Sequence, residues 1–144
     1  TGLHQDDIIL DTDIPHVRVR THAWRSLKTS TSQRVIPLVG ASLWASERIK
    51  QNGYEYAFPR YTNGTRCNSN SASAALNKWI KQVAGSGSVV HGFRHSFRDR
   101  LRAVSAPTDM IDQLGGWSLQ SVGLGYGNGY NIRDLKVTLQ AMIS

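Results

Sequence analysis

The amino-acid sequence predicts one α+β domain that is mainly helical and has a single small antiparallel sheet. The chain has 144 residues, of which 40% are hydrophobic, which suits one compact core. Apolar residues alternate in two short stretches of the N-terminal third, whereas from residue 41 onward they recur at helical spacing. No internal repeat interrupts this pattern. The range 1–144 is therefore expected to form one domain.

Two short strands are expected to form the hairpin of this sheet. Residues 17–19 alternate between apolar and charged side chains, as in a strand with one buried face. A second β-prone run covers residues 34–39, and Pro37 places it at the edge or the end of the sheet because proline has no backbone N–H. The polar segment 21–33 is expected to connect the two strands.

The helices follow after the second strand. Ser71 and Asn131 are the expected N-caps of the second and the last helix, because a short polar side chain accepts hydrogen bonds from the first turn. Glycines are expected to end the second and the fourth helix. The apolar spacing predicts helices over residues 41–52, 71–84, 93–104, 108–114 and 132–142.

The charge of the chain favours a polyanionic partner. Seventeen Lys and Arg residues against ten Asp and Glu residues give a net charge of +7, which favours nucleic acid first and an anionic membrane surface second. The single cysteine, Cys67, has no internal disulfide partner, so a reducing compartment is expected. No long apolar run or signal-peptide pattern is present, and no membrane-spanning segment is predicted.

A basic motif, "HGFRHSFRDRLR", covers residues 91–102. His91 and Arg94 are three residues apart, so they share one face at the start of a helix, and Arg98 and Arg102 continue along that side. Arginine offers planar paired donors to phosphate, and histidine adds a donor or a proton relay. The motif is thus either a phosphate site or a solvated basic stripe with a capping histidine.

The order of motifs resembles the catalytic domain of the tyrosine recombinases, the phage integrase family. In that family a His-x-x-Arg pair is followed by His or Trp after Leu-Gly, and a nucleophilic tyrosine comes nine positions later. Here His91 and Arg94 are followed by Trp117 in "LGGW", and nine positions later stands Tyr126. Tyr130 lies four residues further on and does not match the spacing.

The segment "RSLKTSTSQRVIPL" resembles the β-hairpin of the same family, in which a lysine in the turn precedes an Arg-x-x-Pro-Leu strand. Lys28 occupies the position of that lysine, which in the family protonates the leaving 5′ oxygen. The resemblance extends over nearly the whole chain. It implies that residues 1–144 are an integrase-type catalytic domain without the N-terminal DNA-binding domain.

The resemblance also implies the chemistry. Integration or excision would proceed by cleavage and rejoining of double-stranded DNA through a 3′-phosphotyrosine, with no metal and no cofactor. Tyr126 would be the nucleophile, Lys28 the acid, Arg94 and Trp117 phosphate ligands, and His91 a further donor that takes the tyrosine proton. The partners implied are double-stranded DNA and further copies of the chain, as a tetramer on paired sites. A cytoplasmic, DNA-associated location and no membrane contact are expected.

One departure from the family pattern keeps a second function open. The family carries an arginine in a Thr-Gly-x-Arg-x-x-Glu context before the first strand, whereas here Thr1-Gly2 leads directly into "LHQDDI". Loss of a transition-state arginine from a phosphoryl-transfer site lowers the rate by about a thousandfold or more. A DNA-binding fragment that does not cleave DNA is therefore the main alternative.

Two further alternatives rest on other chemistry. A metal-dependent nuclease would use His91, His95, Asp99 and Asp112, but these residues lack the carboxylate cluster that magnesium prefers. His95 is expected to be a packed histidine of the helix rather than a metal ligand. A type IB topoisomerase shares the tyrosine chemistry and would relax DNA without strand exchange.

Overall fold

The computed structural model describes residues 1–27, 32–117 and 129–144. In this part of the chain a three-stranded antiparallel sheet precedes five α-helices, which confirms the predicted α+β, mainly helical class. The strands are β1 (Ile8–Ile9), β2 (His16–Val19) and β3 (Arg34–Pro37). The helices are α1 (Gly40–Gln51), α2 (Ser69–Ala84), α3 (Gly92–Ala103), α4 (Thr108–Gly115) and α5 (Ile132–Ile143).

The sheet has the order β1-β2-β3, with both pairs antiparallel. In the predicted hairpin Val17 pairs with Ile36, and the other side of Val17 pairs with Ile8 of β1. Pro37 is the last residue of the edge strand β3, a place where its missing N–H leaves the inner ladder intact. The two-residue strand β1 was not predicted, because so short a run carries no periodicity.

The main core lies between α3, α4 and α5, and β3 covers one side of it. Leu101 of α3 and Leu114 of α4 are fully enclosed, with exposed fractions of 0% and 1%. Ile36 of β3 packs against the same cluster. The other buried members are Met110, Ile111, Leu135 and Leu139. This packing places α3, the end of α4 and strand β3 next to one another.

The helix caps follow the predictions in one case and correct them in the other. Asn131 caps α5 as expected, since its side chain accepts from the N–H groups of Arg133 and Asp134 at 2.9 and 3.0 Å. The prediction that Ser71 caps α2 is wrong. Asn68 is the cap, and its side-chain oxygen accepts from the Ser71 N–H at 3.1 Å. Either residue type satisfies the capping rule, so the cap of α2 was placed three residues late.

The apolar faces of α1 and α2 are largely exposed. Trp44 on α1 is 60% exposed and Trp79 on α2 is 58% exposed. Within α2 only Ala72 and Ile80 are buried. Helical spacing therefore identified both helices correctly, although it does not determine whether another element covers the apolar face.

A buried carboxylate connects the N-terminus to the sheet. The Asp7 side chain is 0% exposed and accepts hydrogen bonds from Arg20 Nε at 2.6 Å and His22 Nε2 at 2.7 Å. The backbone N–H of His4 adds a longer bond at 3.3 Å. Burial alone would raise the pKa of this carboxyl, but the bonds from Arg20, His22 and His4 outweigh it and hold the pKa below its usual value.

Candidate active site

The predicted His-x-x-Arg motif forms the first turn of α3. His91 is the N-cap of this helix and is exposed. Its ring lies 5.2 Å from that of His95, in an edge-to-face arrangement. His95 is also exposed, so the expectation of a packed histidine is wrong. Arg94 follows His91 one turn later, and its side chain reaches toward the end of α4.

The "LGGW" segment forms the end of α4 and the turn after it. Gly115 is the last residue of the helix, and Gly116 adopts the left-handed conformation with φ 62° and ψ 37°, which glycine reaches without a steric penalty. The backbone N–H of Trp117 then donates to the Asp112 carbonyl at 3.0 Å. This reversal folds the Trp117 ring back over Gly115, where a Cβ would overlap the indole.

Arg94 and Trp117 meet directly at this turn. The guanidinium carbon of Arg94 lies 4.3 Å from the Trp117 ring centroid, and Arg94 Nη1 donates to the Gly115 carbonyl at 3.1 Å. Arg98 lies 5.0 Å from the same ring and pairs with Asp112 at 3.2 Å. Both cations are within the range of a cation–π contact. The two residues that the family resemblance implied as phosphate ligands, Arg94 and Trp117, are therefore in contact.

Arg34, the first residue of β3, belongs to the same neighbourhood. Its Nε donates to the Leu114 carbonyl at 3.1 Å and its Nη1 to the Ser32 carbonyl at 2.8 Å. Burial, together with the positive charge of Arg94, lowers the pKa of Arg34. From the sequence, Arg34 was recognised only as the first residue of the Arg-x-x-Pro-Leu strand. No local signal indicated that it would approach a turn eighty residues away.

These side chains line an open cleft of about 460 Å³. Arg34, Arg94, Arg100 and Trp117 contribute to its lining, together with Ser96 and Gly115. The apolar side chains of the lining are Ile36, Phe93, Phe97, Leu114 and Met142. The cleft thus places several fixed cations beside an aromatic donor, an arrangement suited to an anionic group.

The phage integrase family profile matches residues 1–126. The chain belongs to the phage integrase family. This membership supports site-specific DNA recombination as its general activity. No curated protein and no solved structure matches the chain significantly.

Tyr130 of the integrase chain is held against α4. Its hydroxyl donates to Asp109 Oδ1 at 2.9 Å, and its backbone N–H donates to Gln113 Oε1 at 2.9 Å. Gln113 Nε2 in turn donates to the Tyr130 carbonyl at 3.0 Å. The hydrogen bond to Asp109, together with burial, raises the pKa of the Tyr130 phenol. A phenol in this environment is a poorer source of phenolate.

Two of the predicted integrase site residues, Lys28 and Tyr126, lie outside the described residues. Their assignment rests on motif spacing alone and stays a prediction. Of the other three, Arg94 and Trp117 are brought into contact. His91 lies at the start of the helix that carries Arg94.

The arrangement of acidic residues near the integrase site does not favour the nuclease alternative. Asp112 pairs with Arg98, and Asp99 lies 3.5 Å from Arg102. Across the described ranges, His, Cys, Asp and Glu side chains form no group of three that could hold a metal ion. None of the helices that the structure describes is both long and apolar enough to cross a bilayer.

Proposed function

We propose that this chain is the catalytic domain of a site-specific recombinase that cleaves and rejoins double-stranded DNA through a 3′-phosphotyrosine. The observation that carries the proposal is the pairing of Arg94 with Trp117. Arg94 donates one N–H group to the Gly115 carbonyl, whereas a guanidinium has five N–H groups. Among the described residues no carboxylate pairs with Arg94. An exposed, oriented arginine with spare donors suits a phosphodiester.

The electrostatics of the cleft support cleavage as well as binding. The pentavalent transition state of a phosphodiester carries more negative charge on its non-bridging oxygens than the ground state does. Donors held in place before the reaction stabilise this charge without reorganisation, and they are often the largest contribution to catalysis. Arg94 is held by the Gly115 carbonyl and the indole of Trp117, so its position is set in the absence of DNA.

The proposed reaction is a transesterification. The phenol oxygen of Tyr126 attacks phosphorus, forming an O–P bond, while the bond from phosphorus to the 5′ oxygen breaks. His91 takes the phenol proton and Lys28 supplies a proton to the leaving 5′ oxygen. The resulting 3′-phosphotyrosine keeps the phosphodiester energy, so the 5′ hydroxyl of a second strand reverses the step and releases Tyr126.

Two tyrosines, Tyr126 and Tyr130, are candidates for the nucleophile. Tyr126 has the family's spacing from Trp117, whereas Tyr130 donates its hydroxyl to Asp109 and is held by Gln113. A nucleophilic tyrosine must lose its proton at neutral pH, and cations rather than a carboxylate favour that loss. The contacts of Tyr130 therefore support Tyr126.

The test uses nicked duplex DNA in which the short strand beyond the cleaved phosphate diffuses away and traps the covalent adduct. Because the recognition site is unknown, a pool of random-sequence nicked duplexes serves as substrate, and adducts are detected as protein bands that retain label after denaturation. Tyr126→Phe should abolish the adduct and leave DNA binding nearly unchanged. The matched control Tyr130→Phe should keep the adduct. An adduct that survives in Tyr126→Phe but disappears in Tyr130→Phe would reverse the assignment.

The second candidate function is DNA binding without cleavage. It is favoured by the missing arginine of the Thr-Gly-x-Arg context, since a site without it is expected to be impaired. Wild-type chain that retains DNA but never forms an adduct would support this reading. Relaxation of supercoiled DNA without strand exchange would instead indicate topoisomerase chemistry, and loss of cleavage in EDTA would indicate a metal-dependent nuclease.

The proposed partners are double-stranded DNA and further copies of this chain. The net charge of +7 favours contact with the phosphate backbone. Exchange of strands between two sites needs four cleavages, so a tetramer on paired sites is proposed. Sedimentation with and without paired-site DNA tests this assembly, and only the DNA-bound sample should reach the tetramer mass.

A further inference from the structure

Two guanidinium groups converge on the end of α4 from different elements. Arg34 comes from β3 and donates to the Leu114 carbonyl, and Arg94 comes from α3 and donates to the next carbonyl, that of Gly115, both at 3.1 Å. Their side chains line the same cleft of about 460 Å³. The two positive charges are therefore held side by side on consecutive peptide groups.

No carboxylate balances this pair within the part of the chain that the structure describes. The arginines that form ion pairs there are Arg20, Arg98 and Arg102. The carbonyls at a helix C-terminus carry partial negative charge and attract cations, which accounts for one contact of each arginine. They do not neutralise two full charges. Burial, and after it the positive charge of Arg94, lowers the pKa of Arg34. An anion between the two side chains would relieve this repulsion.

Arg34 also retains donors for such an anion. Its Nε and Nη1 are bonded to the carbonyls of Leu114 and Ser32, whereas no described residue accepts a hydrogen bond from Nη2. The guanidinium packs on Gly116, where a Cβ would collide with it. Arg34 is thus half-buried. Its guanidinium is held by two hydrogen bonds and by packing on Gly116, and its remaining N–H groups are available to an anion in the cleft.

We propose that Arg34 is a second phosphate-binding arginine of this site and shares the reacting phosphate with Arg94. This inference rests on the proposed function. It gives the cleft a second guanidinium although the arginine of the Thr-Gly-x-Arg context is missing. Two arginines on different non-bridging oxygens would spread the stabilisation of the transition-state charge over both.

A binding experiment on the wild-type chain tests the proposal without requiring cleavage. The Nε–H resonances of the arginine side chains are assigned with single Arg→Lys variants and followed by NMR. The probe is thymidylyl-(3′,5′)-thymidine, which carries one phosphodiester. We expect the resonances of Arg34 and Arg94 to shift with one shared dissociation constant. Arg102, which is 61% exposed and paired with Asp99, should not shift.

The outcomes of this titration separate the two proposals. A shift of Arg94 with no shift of Arg34 overturns the role of Arg34 and leaves the proposed function standing. A shift of both arginines in a wild-type chain that forms no DNA adduct supports Arg34 as a phosphate ligand and contradicts the catalytic part of the proposed function. If neither arginine shifts, the role of Arg34 is overturned.

A second experiment distinguishes charge stabilisation from a purely structural role. Arg34→Ala should slow adduct formation on an ordinary phosphodiester by about 100-fold, the effect of one lost transition-state donor, and Arg34→Lys should slow it less. A methylphosphonate carries a methyl group in place of one charged oxygen. The transition state of its cleavage therefore needs less stabilisation by positive charge. On that substrate the deficit of Arg34→Ala should shrink at least about tenfold. An equal deficit on both substrates would mean that Arg34 only positions the turn, and would overturn the proposal.

Discussion

The guanidinium of Arg94 lies over the indole of Trp117, with the guanidinium carbon 4.3 Å from the ring centroid. The Gly115 carbonyl accepts from the same guanidinium at 3.1 Å, so the arginine is held by two neighbouring residues of one turn. Movement of Trp117 would therefore displace Arg94. The two predicted phosphate ligands act as one unit, and substitutions at either should be interpreted together.

The separate contributions of the Trp117 ring and its N–H can be measured. Trp117→Phe keeps an aromatic face under Arg94 but removes the indole donor, so the melting temperature should change little. Adduct formation should fall by about 100-fold if the N–H stabilises the transition state. Trp117→Ala removes both features and should lower the melting temperature as well. Full activity in Trp117→Phe would show that the N–H does not contact the phosphate.

Gly115→Ala should disrupt the site by overpacking. The added Cβ would overlap the Trp117 ring, and overpacking of this kind destabilises proteins by about 1–3 kcal/mol. The matched control is Gly92→Ala at the start of α3, where a Cβ would meet no atom within 4 Å. Because alanine favours helix, Gly92→Ala should be neutral or stabilise by up to about 1 kcal/mol. Equal unfolding free energies for the two variants, measured in urea, would contradict the close contact.

The Asp7 network predicts an acid-sensitive fold. Because hydrogen bonds hold the pKa of Asp7 below its usual value in the folded protein, its ionised form stabilises the fold above about pH 4. That stabilisation is lost as the pH falls through the lowered folded-state pKa. Asp7→Asn leaves Arg20 and His22 without their carboxylate. Because Arg20 is 45% exposed and water can solvate its charge, the variant should destabilise the protein by about 1–3 kcal/mol at neutral pH.

The pH dependence of this variant provides the check. The unfolding free energy of Asp7→Asn should vary less between about pH 5 and pH 2 than that of the wild type. Asp11→Asn is a suitable control because Asp11 is exposed, and it should retain the wild-type acid transition. Identical acid profiles for Asp7→Asn and the wild type would rule out Asp7 as a main source of acid sensitivity.

DNA affinity of the chain should be weak and should fall steeply with salt. Each neutralised phosphate contributes about 0.9 to the slope of log affinity against log salt, because bound counterions are released. Arg94→Ala should lower the slope by about one and change affinity modestly, yet reduce adduct formation strongly. If fluorescence anisotropy titrations gave the same affinity at low and high salt, the basic residues behind the net charge of +7 would not contact the phosphate backbone.

Local signals in the sequence were sufficient for much of the fold. Three features depend on residues close in the chain and could therefore be predicted from sequence patterns. They are the pairing of β2 with β3, the cap at Asn131 and the left-handed turn at Gly116. The start of α2 was misplaced because Asn68 and Ser71 are both acceptable caps. Exposure of Trp79 could not be foreseen, since it depends on which elements pack against α2.

The site was only partly predictable for the same reason. The resemblance carried by the His-x-x-Arg and "LGGW" motifs implied that Arg94 and Trp117 bind the same phosphate. The structure places them in contact, and their role as phosphate ligands stays a prediction. The approach of Arg34 to Leu114 joins residues 80 positions apart, so it arises only when β3 packs beside α4. Lys28 and Tyr126 remain predictions from spacing.

The turn after α4 also constrains how this sequence can change. Gly116 leaves the space that the Arg34 guanidinium occupies, and Gly115 leaves the space for the Trp117 ring. A larger residue at position 115 is compatible with the fold only after the Trp117 ring has moved or has been replaced by a smaller side chain. A larger residue at position 116 requires the same of Arg34, and it is also strained by the positive φ of 62°. The effect of a substitution at position 116 therefore depends on the residue at position 34. The order in which such substitutions accumulate is restricted, and a pair of changes that is acceptable together passes through a damaged intermediate when Gly116 changes first.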